Sequence, residues 1–461
     1  MYSTDAPSDR RARWASVDLS QSSPRYLVGT VAAVYMLATT KWGSYIGAAP
    51  VFITDLLVLT AVWRICTIRK YPLRPAYIRL TPVQVILLLS LPAWATIRLI
   101  ASESYKFNTF RDFAPYLYAG LGLIAAVSMA RSDRQQRDRT AHLIWVALLV
   151  HLSWVSLAVV APNLPDMLPS ISSGVRLFQP REDIDSAILG VTTCVAIYRW
   201  ARTRRLIYFV VGGISLIDVM LISSRAGLIA TVLCGLIIVW IIRKNASESI
   251  VIALAALLTP VVAILSFDTL LKLPAVSRLV STFWPALASP TREGYASAQG
   301  TTEARQNAWS AVVAYTAEKW DRSVFGTGFG SDFMRDSGAA RLLLGPLAAD
   351  SGVRSPHNYF IGTYARLGFV GLAIIVALVV VALVVIFLKR REILSEELGV
   401  LASAVVIAVI PTAAFGVTLE SPFGAIPFFW SVGILIGYLR INSSDQTAIL
   451  DQDDHSPKGA T

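Results

Sequence analysis

The sequence predicts an all-α, polytopic integral membrane protein of about twelve transmembrane helices, with a large extracytoplasmic loop containing short helices. Two observations carry that expectation. Of the 461 residues, 55% are hydrophobic and only 15% charged, and the mean hydropathy of +0.58 lies outside the range of soluble globular domains. Runs such as "LIYFVVGGISLIDVMLI" and "GLAIIVALVVVALVVIF" recur along the chain. At ~1.5 Å per residue each is long enough for most of a ~30 Å hydrocarbon layer, and each must be a helix because lipid offers the backbone no partners.

The formal charge of +11 lies in short clusters between apolar runs: Arg10 to Arg25, Arg64 to Arg79, Arg131 to Arg139, Arg199 to Arg205, Arg243 with Lys244, and Lys389 to Arg391. A nucleic-acid-binding protein would gather such charge on one face, so these clusters read as topology signals and no nucleic acid is expected as a partner. Placing them in the cytoplasm gives spans near 26–44, 51–68, 82–101, 113–130, 141–161, 184–201, 206–223, 226–242, 250–267, 358–388, 398–418 and 426–440, with both termini inside the cytoplasmic (inner) membrane. The chain then divides into a disordered cytoplasmic tail (1–25), a nine-helix membrane region (26–267), an extracytoplasmic loop (268–356), a three-helix membrane region (357–441) and a second disordered tail (442–461). The polar first 25 residues lead into an uncleaved span. Cys66, Cys194 and Cys234 lie in or beside spans and read as small buried apolar residues, so no metal site and no cofactor are expected.

Within the long loop, "TTEARQNAWSAVVAYTAEKW" carries apolar residues at helical spacing, as in a surface helix lying on the membrane. "SVFGTGFGSDF" follows, with glycines at 326, 328 and 330 that permit tight turns and close approach of backbone N–H groups to an anion. No strand precedes it and no GK[ST] follows, which excludes a Rossmann turn and a P-loop. A second connection, "APNLPDMLPSISSGVRLFQPRED", ends in Arg176, Arg181, Glu182 and Asp183 at the mouth of the sixth span.

Arg225, in "ISSRAGL", falls between two short apolar runs and so at the membrane boundary, where it either snorkels to headgroups or offers a guanidinium fork to a phosphate. Of the four histidines, His142 and His151 lie in the fifth span and His455 in the tail. Only His357 lies where an aqueous substrate could meet a membrane-bound one. Pro356 suits a first helical turn, which would put His357 under the positive end of the helix dipole and keep its imidazole neutral, the form a general base requires.

Arg225 in "SSRAGL", Arg305 in "EARQNAW", the "FGTGFGSDF" turn and "PHNYFIGTYARLGFVGL" occur in this order around a long loop. Together they resemble the O-antigen ligase and O-antigen polymerase superfamily, over a stretch from about Ile207 to about Phe387. "VRLFQPREDIDSA" is similar to the family's Arg-containing loop before a span, without its usual Gly and Asn. The resemblance implies a C-type glycosyltransferase-like fold and transfer of a glycan from undecaprenyl pyrophosphate to an acceptor glycan or lipid at the membrane. His357 would be the base, and Arg225 and Arg305 would hold the pyrophosphate. Arg354, Asn358, Arg176 and Arg181 are further substrate-binding candidates, and "GTGFG" would place backbone donors near them. A lipid-linked sugar flippase or polysaccharide transporter is the competing reading; it would be expected to show two related halves and polar residues at the midplane.

Overall fold

The computed structural model describes residues 27–48, 51–67, 80–102, 105–172, 174–242, 272–283, 295–344 and 352–454. Helices dominate. Helices α1 (Leu27–Ser44), α2 (Ile53–Thr67) and α3 (Pro82–Ile100) precede a broken helix made of α4 (Phe107–Leu117), a 3₁₀ turn and α5 (Leu121–Arg131). Then come α6 (Arg134–Val160), α7 (Leu164–Met167), α8 (Glu182–Thr203), α9 (Leu206–Leu221) and α10 (Arg225–Ile242). The strands are short antiparallel pairs, β1 (Gly47–Ala48) with β2 (Val51–Phe52) and β3 (Ser170–Ser172) with β4 (Val175–Arg176).

Six helices among the described residues are long and apolar enough to cross a membrane: Pro82–Ile100, Phe107–Ala130, Arg134–Val160, Tyr359–Leu388, Glu397–Ala414 and Pro422–Leu439. Leu206–Leu221 and Arg225–Ile238 are shorter apolar helices. Helices also stand where spans were expected at 26–44, 51–68 and 184–201; the expected span at 250–267 lies outside the described residues.

The long connection expected at 268–356 is helical where it is described: α11 (Pro274–Phe283), α12 (Tyr295–Ala317), α13 (Trp320–Phe325), α14 (Phe333–Asp336) and α15 (Ala339–Leu344). The spacing of α12 is as expected, and protein covers part of its apolar stripe: Ala308 and Val312 are fully buried against Phe333, Met334, Ala339, Ala340 and Ala365, while Val313 is exposed. The chain continues as α16 (Tyr359–Leu388), α17 (Arg390–Ser395), α18 (Glu397–Ala414) and α19 (Pro422–Asp454).

The core sits where α8, α18 and α19 pack against α5, α6 and α10. Helices α8 and α10 approach closely because Gly190 faces Thr231 and Gly227 faces Ser186. A methyl group on Gly227 would collide with the Ser186 side chain. That contact sets the N-terminal ends of the two helices, and with them Arg181 and Arg225, on one side of the molecule. Two arginines of the basic clusters form ion pairs with the start of α18: Arg137 of α6 forks onto Glu396 in a buried pair at 2.7 and 2.8 Å, and Arg199, near the C-terminal end of α8, forms a partly buried pair with Glu397 while lying 4.5 Å over Trp145.

Candidate functional site

A cavity of about 330 Å³ opens where six segments meet. The residues preceding and starting α8 supply Arg181, Glu182 and Asp183, and the α9–α10 turn supplies Ser223, Ser224 and Arg225. Helix α11 contributes Arg278 and Thr282, and α12 contributes Thr302, Arg305, Gln306 and Trp309. His357 and the Phe415–Gly416 turn after α18 complete the wall.

The arginines are held in place by neutral groups as well as by charges. Arg225 Nη1 donates to the hydroxyls of Thr282 and Thr302, both at 2.7 Å. Arg305 Nη1 donates to the Phe415 carbonyl at 3.0 Å, and Arg278 Nη1 to the Ser223 carbonyl at 3.0 Å. Arg181 forks onto Asp183 and lies 5.0 Å over the Phe423 ring. Among the described residues four guanidiniums therefore face one cavity, with Glu182 and Asp183 as the carboxylates on its wall, an arrangement that attracts an anion.

His357 stands in this cationic surround. Its backbone is left-handed, with φ of 56°, a conformation that is strained for a residue with a Cβ. The expected placement in the first turn of a helix is corrected. Asn358 is the N-cap, its Oδ1 accepting from Ile361 N at 3.1 Å, and the helix begins at Tyr359, so His357 lies outside it. Asn358 carries the acceptor that satisfies an orphan N–H, which makes it rather than Pro356 the helix start. Burial lowers the His357 pKa below its ordinary value of about 6.5, and the positive charges of Arg305 and Arg181 lower it further. The imidazole is neutral near pH 7 for that reason rather than from a helix-dipole position.

Trp309 anchors the segment before His357: its Nε1 donates to the Pro356 carbonyl at 2.6 Å and its ring lies 6.4 Å from that of Phe415.

The cavity thus unites His357, Arg225, Arg305 and Arg181 from the sequence expectations. The other candidates lie elsewhere. Asn358 is used as a cap, and Arg176, on β4, pairs with the exposed Asp166 at 2.6 Å. Arg354 does not reach the cavity: its Nε and Nη2 are taken by Asp112, and Nη2 also donates to the Ser331 carbonyl. The Asp112 side chain is only 4% exposed. Arg354→Ala would strip a buried carboxylate of its forked guanidinium and leave it only the longer contact to Arg111 at 3.7 Å, a destabilisation of about 3 kcal/mol. It is expected as a lowered thermal midpoint of the purified protein, with the specific activity of the folded fraction preserved.

The "GTGFG" donors are also directed elsewhere. Thr327 N donates to Ala365 O at 2.7 Å and Gly328 N to Arg366 O at 3.0 Å. These carbonyls lie just before Gly368, whose φ of 69° breaks α16. The glycine-rich turn therefore splints a kink in α16, satisfying carbonyls that a continuous helix would have bonded internally.

Arg278, Gln306, Thr282 and Thr302 escaped sequence reasoning. "PAVSRLVSTF" is a short segment with a single arginine, and only its packing beside the α9–α10 turn brings Arg278 to Arg225.

Residues 210–376 match the O-antigen ligase family. The match supports the resemblance of this stretch to the O-antigen ligase and polymerase superfamily that its ordered motifs imply. The match contains Arg225, Arg278, Arg305 and His357, whereas Arg181, Asp183 and Phe415 lie on either side of it. In general terms it supports a membrane protein that transfers glycans between lipid-linked and acceptor substrates. No curated protein matches the chain.

Proposed function

We propose that this O-antigen ligase-type protein transfers a glycan from undecaprenyl pyrophosphate to an acceptor hydroxyl at the outer face of the cytoplasmic membrane, as a polysaccharide polymerase or an O-antigen-type ligase. The observation that carries this reading is the cavity that sets neutral His357 among Arg181, Arg225, Arg278 and Arg305. The acceptor oxygen attacks the anomeric carbon as His357 takes its proton, and the bond from that carbon to the pyrophosphate oxygen breaks with inversion. Negative charge grows on the leaving pyrophosphate, where Arg225 and Arg305 supply fixed donors. Thr282 and Thr302 orient the Arg225 fork through their hydroxyls.

The topology that fits is about twelve spans with both termini cytoplasmic and the helices α11–α15 outside, so that the cavity meets both the lipid-borne donor and the acceptor.

Cells lacking the gene, complemented at matched membrane expression, test the reaction by gel analysis of their glycans. A ladder that vanishes without the gene identifies a polymerase; polymer that forms but stays on its lipid identifies a ligase. Unchanged glycan in both respects defeats the proposal. Arg225→Lys, which keeps the charge and loses the planar fork, is expected to lower kcat/KM with defined substrates about 10-fold to 100-fold. Equal rates for Lys and Arg would show that Arg225 does not form a bidentate contact in the transition state.

A further inference from the structure

Beneath the cavity lies a pair of ionisable side chains with no water contact. His151, from the interior of α6, and Asp185, from the first turn of α8, meet at 3.1 Å between Nε2 and Oδ1, and both side chains are fully buried. An isolated buried carboxylate is costly, so the pair calls for a use. The second carboxylate oxygen shows where the pair is directed: Asp185 Oδ2 accepts from the backbone N–H of Arg181. Arg181 is the N-cap residue of α8, has no side-chain cap of its own, and reaches into the cavity beside Asp183.

The partners also determine the tautomer. Asp185 accepts from Nε2, while Nδ1 is buried without a hydrogen-bond partner. A carboxylate oxygen can only accept, so the ring proton that joins the pair is on Nε2. The ring is clamped edge-on against Trp154, 5.1 Å away, whose Nε1 is bonded to the Ala38 carbonyl. Lys41, Arg181 and Asp183 lie within electrostatic reach of one another and Lys41 within that of Asp185; Asp218, bonded by Ser156, lies within reach of His151.

We propose that His151 and Asp185 are positioning residues: the buried pair fixes the backbone of Arg181, and so the place of its guanidinium in the cavity. This rests on the pyrophosphate reading above, and it assigns to Arg181 the part of the anion site that α8 delivers. A rigid support of this kind matters because small misplacements of a binding group lose much of its effect.

The test uses the full-length protein in nanodiscs, with farnesyl pyrophosphate as probe and intrinsic tryptophan fluorescence as readout. His151→Leu and Arg181→Ala are each expected to weaken binding about tenfold. The double variant is expected to bind no more weakly than Arg181→Ala alone, because His151 acts through Arg181. His151→Gln, whose amide can still donate to Asp185, should stay within about threefold of wild type, and Ser156→Ala, which alters the neighbouring buried pair, should bind like wild type.

If His151→Leu does not accumulate in membranes, His151→Asn, polar but too short to reach Asp185, replaces it in the same cycle. Multiplicative losses in the double variant would overturn the proposal, as would wild-type affinity in both His151→Leu and His151→Asn, or an equal loss in Ser156→Ala. Wild-type protein that fails to bind the probe would instead refute the pyrophosphate reading itself.

Discussion

His357→Ala is expected to lower turnover by about 10²-fold to 10⁴-fold while leaving donor affinity nearly unchanged, the signature of a lost proton acceptor. Two features of the site support so large an effect. Burial, helped by Arg305 and Arg181, keeps the imidazole unprotonated, and the two arginines are also placed to bind the donor, so the base and the anion site are coupled by charge. His357 also holds a left-handed backbone at φ 56° that glycine would adopt without strain. His357→Gly should therefore lower turnover as far as His357→Ala does while keeping or raising thermal stability, by up to about 1–2 kcal/mol. A glycine variant that turned over normally would remove His357 from the chemistry.

The pH profile follows with a definite sign. Because the folded-state pKa lies below about 6.5, the neutral, competent form persists from neutral pH downward, and kcat/KM falls only once the medium is more acidic than that value. A break above pH 6.5 would assign the controlling proton to another group. The same shift means that protonating His357 favours the unfolded chain, so its contribution to stability is present above its unfolded pKa and is lost as pH falls through its folded one.

The second large effect concerns folding. Gly326→Ala is expected to prevent accumulation of the protein in membranes, or to lower its thermal midpoint sharply. A Cβ on Gly326 would stand 2.3 Å from the Arg366 carbonyl oxygen and 2.5 Å from Gly368 N, both backbone atoms that cannot step aside. Its backbone, φ 79° and ψ 176°, is a region essentially confined to glycine and costs other residues about 1–3 kcal/mol before any clash. Gly328→Ala supplies the contrast. It has a similar φ of 78°, but its nearest neighbour would be the end of the Arg98 side chain at 3.6 Å, so a loss of only about 1 kcal/mol is expected. Comparable midpoints for the two variants would show that the turn does not splint α16.

The motifs were legible for reasons that lie in the residues themselves. Apolar runs declare helices, since hydrocarbon leaves the backbone no alternative. His357 and Arg225 stood out because ionisable groups at apolar boundaries need a reason to be there. Asn358 could have been read as a helix cap from its residue type, and Arg354 could not have been separated from Arg305: both are arginines in the same connection, and only Asp112, more than two hundred residues earlier, distinguishes them.

The sequence by itself determined that this chain is a helical membrane protein, the order of the motifs that resemble those of O-antigen ligases, and that a histidine and several arginines need aqueous partners. Tertiary structure alone decided which of them share a cavity. Arg181 and Arg278 join His357 because α8, α10 and α11 converge, with Gly190 and Gly227 permitting the close contact of α8 with α10. Arg354 and the glycine-rich turn were withdrawn from the site by partners distant in sequence. The physical reason is common to both outcomes: a guanidinium or an N–H binds whatever acceptor folding brings within about 3 Å, and chain order does not record that distance.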